Sequence, residues 1–191
     1  MQEAVAVGVG AMAAVLKVSY DDVKLALAKV KQGVVEIANW NSKEQIVIAG
    51  DEQAVNEALS ILNPPRSVFL PVSAPFHCQL MAPAERRLSY DLDEVEFKDL
   101  EFPIITNVDA KMIHKGSEAR DSLKRQVTRP VLWYKSMDLL KDSQYDFFVE
   151  LGSGQVLSGL LKRIGREWSP SPVSLNVSDP ASLAKTKETI S

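Results

Sequence analysis

Between residues 11 and 70 the apolar pattern switches repeatedly between strand-like and helix-like periods. That order constrains the fold more than any other feature of the chain. Ala11-Met12-Ala13-Ala14-Val15-Leu16 is a short apolar run just after Gly8 and Gly10, a length that suits a buried strand. Ser19, with Asp22 three residues on, has the form of a helix start, the acid lying near the positive end of the helix dipole. Val23, Leu27 and Val30 then recur at helical spacing, and Gly33 is expected to stop the helix. Residues 34–38 and 45–49 have the composition of two strands, joined by the polar turn Asn39-Trp40-Asn41-Ser42-Lys43-Glu44. Asp51 suits the N-cap of a second helix with Val55, Leu59 and Leu62 on its apolar face, and Asn63-Pro64-Pro65 ends it. Residues 66–70 supply a fourth strand. Strand, helix, strand, strand, helix, strand is the split βαβ, or ferredoxin-like, arrangement, and it makes residues 9–71 a complete small subdomain.

The remainder is less self-contained. Residues 81–92 are predicted to form a helix with Glu85, Arg86 and Arg87 outward and Leu88 and Leu92 inward. Residues 97–99 and 104–108 are expected as strands around Pro103, and 117–127 and 133–140 as helices, the first ended by Pro130. Phe147-Phe148-Val149-Glu150-Leu151 is expected as a strongly buried strand, followed by a Gly152-Ser153-Gly154 turn, a helix over 156–164 and a strand over 173–177. The tail, 179–191, is polar, helical or frayed. The alternation assigns 72–178 to part of a layered α/β domain. Its strands are few for the apolar helix faces they must cover, so an exposed apolar patch would need a partner.

Composition excludes several classes. A net charge of −3 gives no basic surface for nucleic acid. No apolar run approaches the ~20 residues of a spanning helix. Met1-Gln2-Glu3-Ala4 lacks the basic start and apolar core of a signal peptide. A lone cysteine, Cys78, excludes an intrachain disulfide and fits a reducing cytoplasm. With two histidines and one cysteine far apart, no metal site is expected.

The stretch from Leu70 to Pro83 carries the chemistry. Pro71, Pro75 and Pro83 bracket it, and each disfavours helix at the residue before it. A stiff loop is therefore predicted to hold His77 in one place just before a helix. A general base needs such a group, titrating near neutral pH; a histidine hydrogen-bonded at a domain seam has the same local signature. Cys78 raises the idea of a thiol nucleophile, but neighbours in an extended loop point in opposite directions and pair poorly. His114 lies in the polar segment Lys111-Met112-Ile113-His114-Lys115-Gly116, which is expected to be a surface turn.

Val72-Ser73-Ala74-Pro75-Phe76-His77 followed by Leu80-Met81-x-Pro83 resembles the histidine loop of malonyl-CoA:acyl carrier protein transacylases. Four further segments resemble that family in the same order. They are Met1-Gln2-Glu3-Ala4-Val5 with Gly10-Ala11-Met12-Ala13-Ala14-Val15; Asn39-x-Asn41-Ser42-x-x-Gln45-Ile46-Val47-Ile48-Ala49-Gly50; Arg125-Gln126-Val127-x-x-Pro130-Val131-x-Trp133; and Val149-Glu150-x-Gly152-x-Gly154-Gln155-Val156-Leu157-x-Gly159-Leu160. The resemblance runs to about residue 165. It implies an α/β-hydrolase-like acyltransferase domain carrying a small ferredoxin-like subdomain, and malonyl transfer from malonyl-CoA to the phosphopantetheine thiol of acyl carrier protein in fatty-acid biosynthesis. No cofactor beyond these substrates is implied. The family's serine lies in a Gly-His-Ser-x-Gly elbow upstream of its Met-Gln-Glu-Ala segment, and no Gly-x-Ser-x-Gly occurs in these 191 residues. The chain is therefore expected to correspond to the C-terminal part of such an enzyme, inactive alone, with a separate N-terminal half among its candidate partners.

By resemblance His77 is the base, and the backbone carbonyl of Gln126 orients it; without the family, Gln126 is an ordinary helix-end amide. Phe76 corresponds to the bulky residue associated with malonyl selection, or is a hydrophobic plug under the loop. Asn39 and Asn41 match the family's Asn-x-Asn near the coenzyme A cleft, although asparagine also suits turns for backbone reasons. Asn107, in Thr-Asn-Val, matches a position near the pocket. Gly152-Ser153-Gly154 offers backbone N–H groups to an anion, or lets strand and helix pack closely; the family usually has proline at Ser153. Two competing readings remain. One is a non-catalytic module docking acyl carrier protein through Lys24, Lys29, Lys31, Lys43 and Arg66; the other is a truncated relic without function.

Overall fold

The computed structural model describes residues 10–143 and 145–190. The Met1–Val5 motif, Gly8 and the last residue of the predicted tail lie outside the described residues. The chain divides into two compact units, Met1–Ser136 and Met137–Ser191.

The first unit begins with β1 (Gly10–Leu16), α1 (Tyr20–Leu27), β2 (Val35–Ser42), β3 (Gln45–Asp51), α2 (Glu52–Leu62) and β4 (Arg66–Phe69). The four strands form one antiparallel sheet in the order β2-β3-β1-β4. Strand alternation gives the sheet two apolar faces. Ala13, Val15, Ile37, Ile46 and Ile48 face α1 and α2, where they bury Val23, Val55 and Ala58. Met12, Ala14, Ala38, Val47 and Ala49 face the other way. Full burial of a Val or Ile stabilises by about 1.5–3 kcal/mol, and Val15, Val23, Ile46, Ile48 and Val55 are all fully buried. This layer outweighs any single polar contact in the unit.

Local chemistry sets the helix ends. The Ser19 side chain accepts from the Asp22 N–H at 3.1 Å and caps α1. The helix stops at Leu27, short of the predicted Val30. The next turns tighten to Lys29 N–H to Ala26 O and Val30 N–H to Leu27 O, and Val30 still packs on the helix-side core. Asp51 precedes α2 but does not cap it; its carboxylate accepts instead from the Val34 N–H at 2.6 Å. Asn63 ends α2 in the left-handed conformation, φ 43°.

Three expectations change. β2 runs on to Ser42, so the turn is only Lys43-Glu44, and Asn39 and Asn41 lie on a strand. Residues 97–99 form no strand. The segment expected as a surface turn contains β6 (Lys111–Ile113), paired antiparallel with β5 (Ile104–Thr106), with Ile113 buried opposite a half-exposed Ile104.

Beyond the sheet, the first unit continues with a 3₁₀ turn, Gln79–Met81, then α3 (Ala82–Asp93) and α4 (Gly116–Gln126). On α3, Leu88 packs inward while Glu85 is half-buried rather than outward. The last helix of this stretch, α5 (Trp133–Asp138), begins in the first unit.

The second unit contains β7 (Phe147–Leu151), α6 (Val156–Ile164), β8 (Val173–Val177) and α7 (Pro180–Ile190). β7 and β8 pair in parallel, and α6 presents Leu160, Leu161 and Ile164 inward. β7 is less buried than its composition predicts: Leu151 is 78% exposed. Among the described residues β7 pairs only with β8, and a parallel sheet reads as apolar whether or not both its faces are covered. No helix among the described residues is long and apolar enough to cross a membrane.

The second face of the four-stranded sheet carries the residues that follow β4. Leu70, Phe76, Cys78 and Leu80 pack onto Met12, Ala14, Ala38, Val47 and Ala49. Pro75 sits so close to Gly10 that a Cβ there would run into the proline ring. Gly10→Ala is therefore expected to lift the loop and cost about 1–3 kcal/mol as an overpacked contact. The measurement is the urea unfolding midpoint against the parent chain.

Candidate active site

The proline-bracketed stretch is an ordered cover on the sheet. Pro75 and Cys78 are fully buried, and the Cys78 thiol donates to the Pro75 carbonyl at 3.1 Å. The Met81 N–H donates to Cys78 O at 3.0 Å, and the Gln79 N–H to the Glu36 carboxylate at 2.7 Å. Between these anchors His77 takes φ +61°. Histidine tolerates the left-handed region better than most residues, but such a conformation still costs of order 1–3 kcal/mol and persists only where its surroundings dictate it.

His77 Nδ1 lies 2.9 Å from the Gln126 backbone oxygen. A carbonyl only accepts, so Nδ1 carries the proton, and in the neutral imidazole Nε2 is left with its lone pair. The carbonyl is free for a structural reason. Gln126 is the last residue of α4, where helix carbonyls lack intrahelical donors. Four residues on stands Pro130, which has no N–H to offer. The Gln126 side chain acts elsewhere. Its Nε2 donates to Arg129 O at 3.0 Å and to Pro130 O at 3.3 Å, holding the turn that follows.

That turn is fastened to the sheet. The Val131 N–H donates to Ala38 O at 2.8 Å and the Trp40 N–H to Val131 O at 2.9 Å, around the register shift between Ile37 and Asn39. The Leu132 N–H donates to Asn107 O at 2.8 Å. Three of the candidate residues, Asn39, Asn107 and Gln126, are thus linked through 130–132. Asn41 lies two residues further along β2, half-buried beside a second register shift between Trp40 and Ser42. Asn107 is exposed in the turn after β5. Phe76 is half-buried and belongs to two apolar clusters, one on the sheet and one with Ala74, Met81, Val127 and Leu88. That position adjoins His77 and is compatible with both readings of Phe76.

Sequence reasoning missed the ion pair behind this frame. Arg125 donates to both carboxylate oxygens of Asp109 at 2.7 Å and to Asp121 at 2.8 Å, tying the C-terminus of α4 to the turn that holds Asn107. Hydrogen bonding from Arg125 holds the Asp109 carboxyl below the usual range. Asp121 and Arg125, four residues apart on a helix, gave a readable signal; Asp109 gave none. Gln126 was marked only by the resemblance.

Two other candidates resolve differently. Burial first, with smaller contributions from Glu36 and Asp51, pushes the Cys78 thiol up to about 11, so it is not a thiolate near neutral pH. In the second unit the N-terminus of α6 already has its anion. The Glu150 carboxylate accepts from the Leu157 N–H at 3.0 Å and the Ser158 N–H at 2.8 Å. Burial raises the Glu150 carboxyl, but the hydrogen bonds from Ser158, Leu157 and Val156 outweigh it and hold the group below its ordinary range. A Cβ at Gly152 or Gly154 would meet nothing within 4 Å, so close packing does not explain these glycines; their φ values of +138° and +81° do. For Cys78 the expected outcome is no iodoacetamide adduct on the native chain at about pH 8, half a unit below an ordinary thiol, and full alkylation in urea. Intact-mass measurement reads both.

No family model matches the chain. It is 40% identical over 168 residues to the malonyl CoA-acyl carrier protein transacylase of Escherichia coli K12, covering 86% of this chain and 54% of that protein. Against the transacylase of Bacillus subtilis 168 it is 35% identical over 195 residues, covering 100% and 60%. Among solved structures, the transacylase of Clostridium perfringens matches with a TM-score of 0.91 at 36% identity, covering 100% of this chain and 60% of that one. A malonyl-transacylase solved in complex with a type II polyketide acyl-carrier protein matches with a TM-score of 0.90 at 35% identity, covering 98% and 61%. The chain thus spans about 54–60% of the length of these two sequence relatives. By sequence and by fold it is a relative of the malonyl CoA-acyl carrier protein transacylases, matched to the C-terminal part of their length.

Proposed function

We propose that the chain carries the histidine-bearing part of a malonyl-CoA:acyl carrier protein transacylase site, with His77 as general base and Gln126 as its orienting partner. The observation that carries this reading is the 2.9 Å contact of His77 Nδ1 with the Gln126 carbonyl. It leaves Nε2 able to accept a proton. In the reaction, a serine outside these residues attacks the malonyl thioester carbonyl as Nε2 takes its hydroxyl proton. The tetrahedral intermediate collapses, the C–S bond breaks, and Nε2–H returns the proton to the departing coenzyme A thiolate. In the second half the pantetheine thiol of acyl carrier protein gives its proton to Nε2 and attacks the acyl-serine, and Nε2–H protonates the released serine oxygen.

A neutral carbonyl partner orients imidazole and fixes its tautomer without adding a charge beside the ring. In this reading Phe76 limits the acyl group, and Asn39, Asn41 and Asn107 line the approach of malonyl-CoA. Residues 9–71 form the ferredoxin-like small subdomain, a naming supported by the strand order β2-β3-β1-β4, and 72–178 belong to the larger one. The lone cysteine, buried as a thiol, suits the cytoplasm.

The test mixes the chain with malonyl-CoA, with and without a polypeptide bearing the Gly-His-Ser-x-Gly serine. A malonyl adduct is expected on that serine only when the two are combined. His77→Ala is expected to slow its formation by about 10²–10⁴-fold, the usual worth of a positioned general base. Intact-mass spectrometry reads both. A His77→Ala rate equal to the parent's would overturn the assignment.

A further inference from the structure

A groove of about 290 Å³ beside the histidine loop contains two carboxylates with matching roles. Glu36, on β2, accepts from the Gln79 N–H at 2.7 Å. Glu85, on α3, accepts from the Thr128 hydroxyl. Gln79 lies two residues past His77, and Thr128 two residues past Gln126. Each bond joins residues 43 apart in sequence, so neither is a by-product of a local turn.

We propose that Glu36 and Glu85 are positioning residues for His77, clamping the two backbone segments that the His77–Gln126 hydrogen bond joins. This rests on the reading of His77 as the base. The left-handed His77 cannot hold itself, and its neighbours fix it: Pro75 and Cys78 are fully buried on either side, and Leu80 and Met81 pack beyond. Between Cys78 and Leu80 only Gln79 is exposed. The Glu36 carboxylate ties this residue to β2 by accepting from the first N–H of the 3₁₀ turn. On the other side of the frame, α4 ends at Gln126, and the carbonyl that faces His77 belongs to its last turn. Thr128, fixed by Glu85, holds the next turn against α3, the helix that grows out of the histidine loop. The two bonds set the His77 Nδ1 to Gln126 oxygen distance from both sides. A shift of about 1 Å at either would break it.

The experiment uses the full chain with ¹⁵N-labelled histidine at about pH 8.5, above the ordinary imidazole range of about 6.5. Long-range ¹⁵N–¹H spectra read which ring nitrogen carries the proton, and exposed His114 serves as the internal reference. His77 in the parent is expected as the Nδ1–H tautomer. Glu36→Asp, one methylene short of its target, and Thr128→Val, which lacks the hydroxyl, are each expected to lower the Nδ1–H to Nε2–H ratio of His77 about tenfold. Glu36→Gln keeps an acceptor oxygen and is expected to restore most of it. Backbone amide spectra verify that each variant is folded, and His114 is expected not to move. A parent-like ratio in folded Glu36→Asp and Thr128→Val would overturn the clamp while leaving the base intact. A parent with Nε2–H at His77 would instead overturn the base.

Discussion

Everything at the site depends on a sheet that is apolar on both faces. A four-stranded sheet with two helices on one side leaves its other side to be covered, and here the cover is the histidine loop. Ala14, Ala38 and Ala49 are small and Met12 is flexible, so the loop backbone comes close. Gly10 lets Pro75 approach further than any side chain would permit. The hydrophobic effect is non-directional and cannot by itself aim an imidazole. It seats the loop, and the hydrogen bonds of Cys78, Gln79 and Met81 then fix its path. Aiming His77 is the product of both, which explains why Cys78 is buried and inert beside it.

The path of 130–132 follows the same logic. A register shift in β2 frees the Ala38 carbonyl and the Trp40 N–H to bond Val131. Tyr20 stacks on Trp40 at 4.2 Å and Tyr134 meets it at 5.0 Å, so aromatic contacts hold the same corner. The bulge, which breaks regularity in the ladder, is what allows a distant segment to join the sheet edge. Asn39 and Asn107 are brought to that segment by backbone bonds, independent of what their side chains do.

The order of elements through residue 70 was legible because each carries a period of its own: alternation in the strands, three-and-four spacing in the helices, prolines at the break. Errors came where composition and pairing part. Asn39, Asn41 and Ser42 are polar and suit a turn by type, yet they lie on a strand because β3 offers partners as far as Gln45. Lys111 to Ile113 form a strand because β5 pairs with them residue for residue, with only Ile113 buried. Leu151 belongs to a strand whose apolar composition implies burial, and among the described residues it stays exposed. The carboxylates of Glu36, Glu85 and Asp109 left no local trace, since each acts across 16 residues or more. His77 itself was legible as a held histidine, and its partner only by resemblance.

Gln126 illustrates how a side chain and its chemistry separate. The group that meets His77 is a peptide carbonyl, which any residue possesses. What singles out this position is its surroundings: a helix that ends there, a proline four residues on that cannot donate, and a side-chain amide that bonds the carbonyls of Arg129 and Pro130. A residue unable to donate at 126 would keep the carbonyl and lose the turn, and through the turn the attachment of Val131 to β2. The spacing of glutamine and proline therefore encodes an acceptor held open at a helix end. The identity of the glutamine encodes the fastening of the segment that follows.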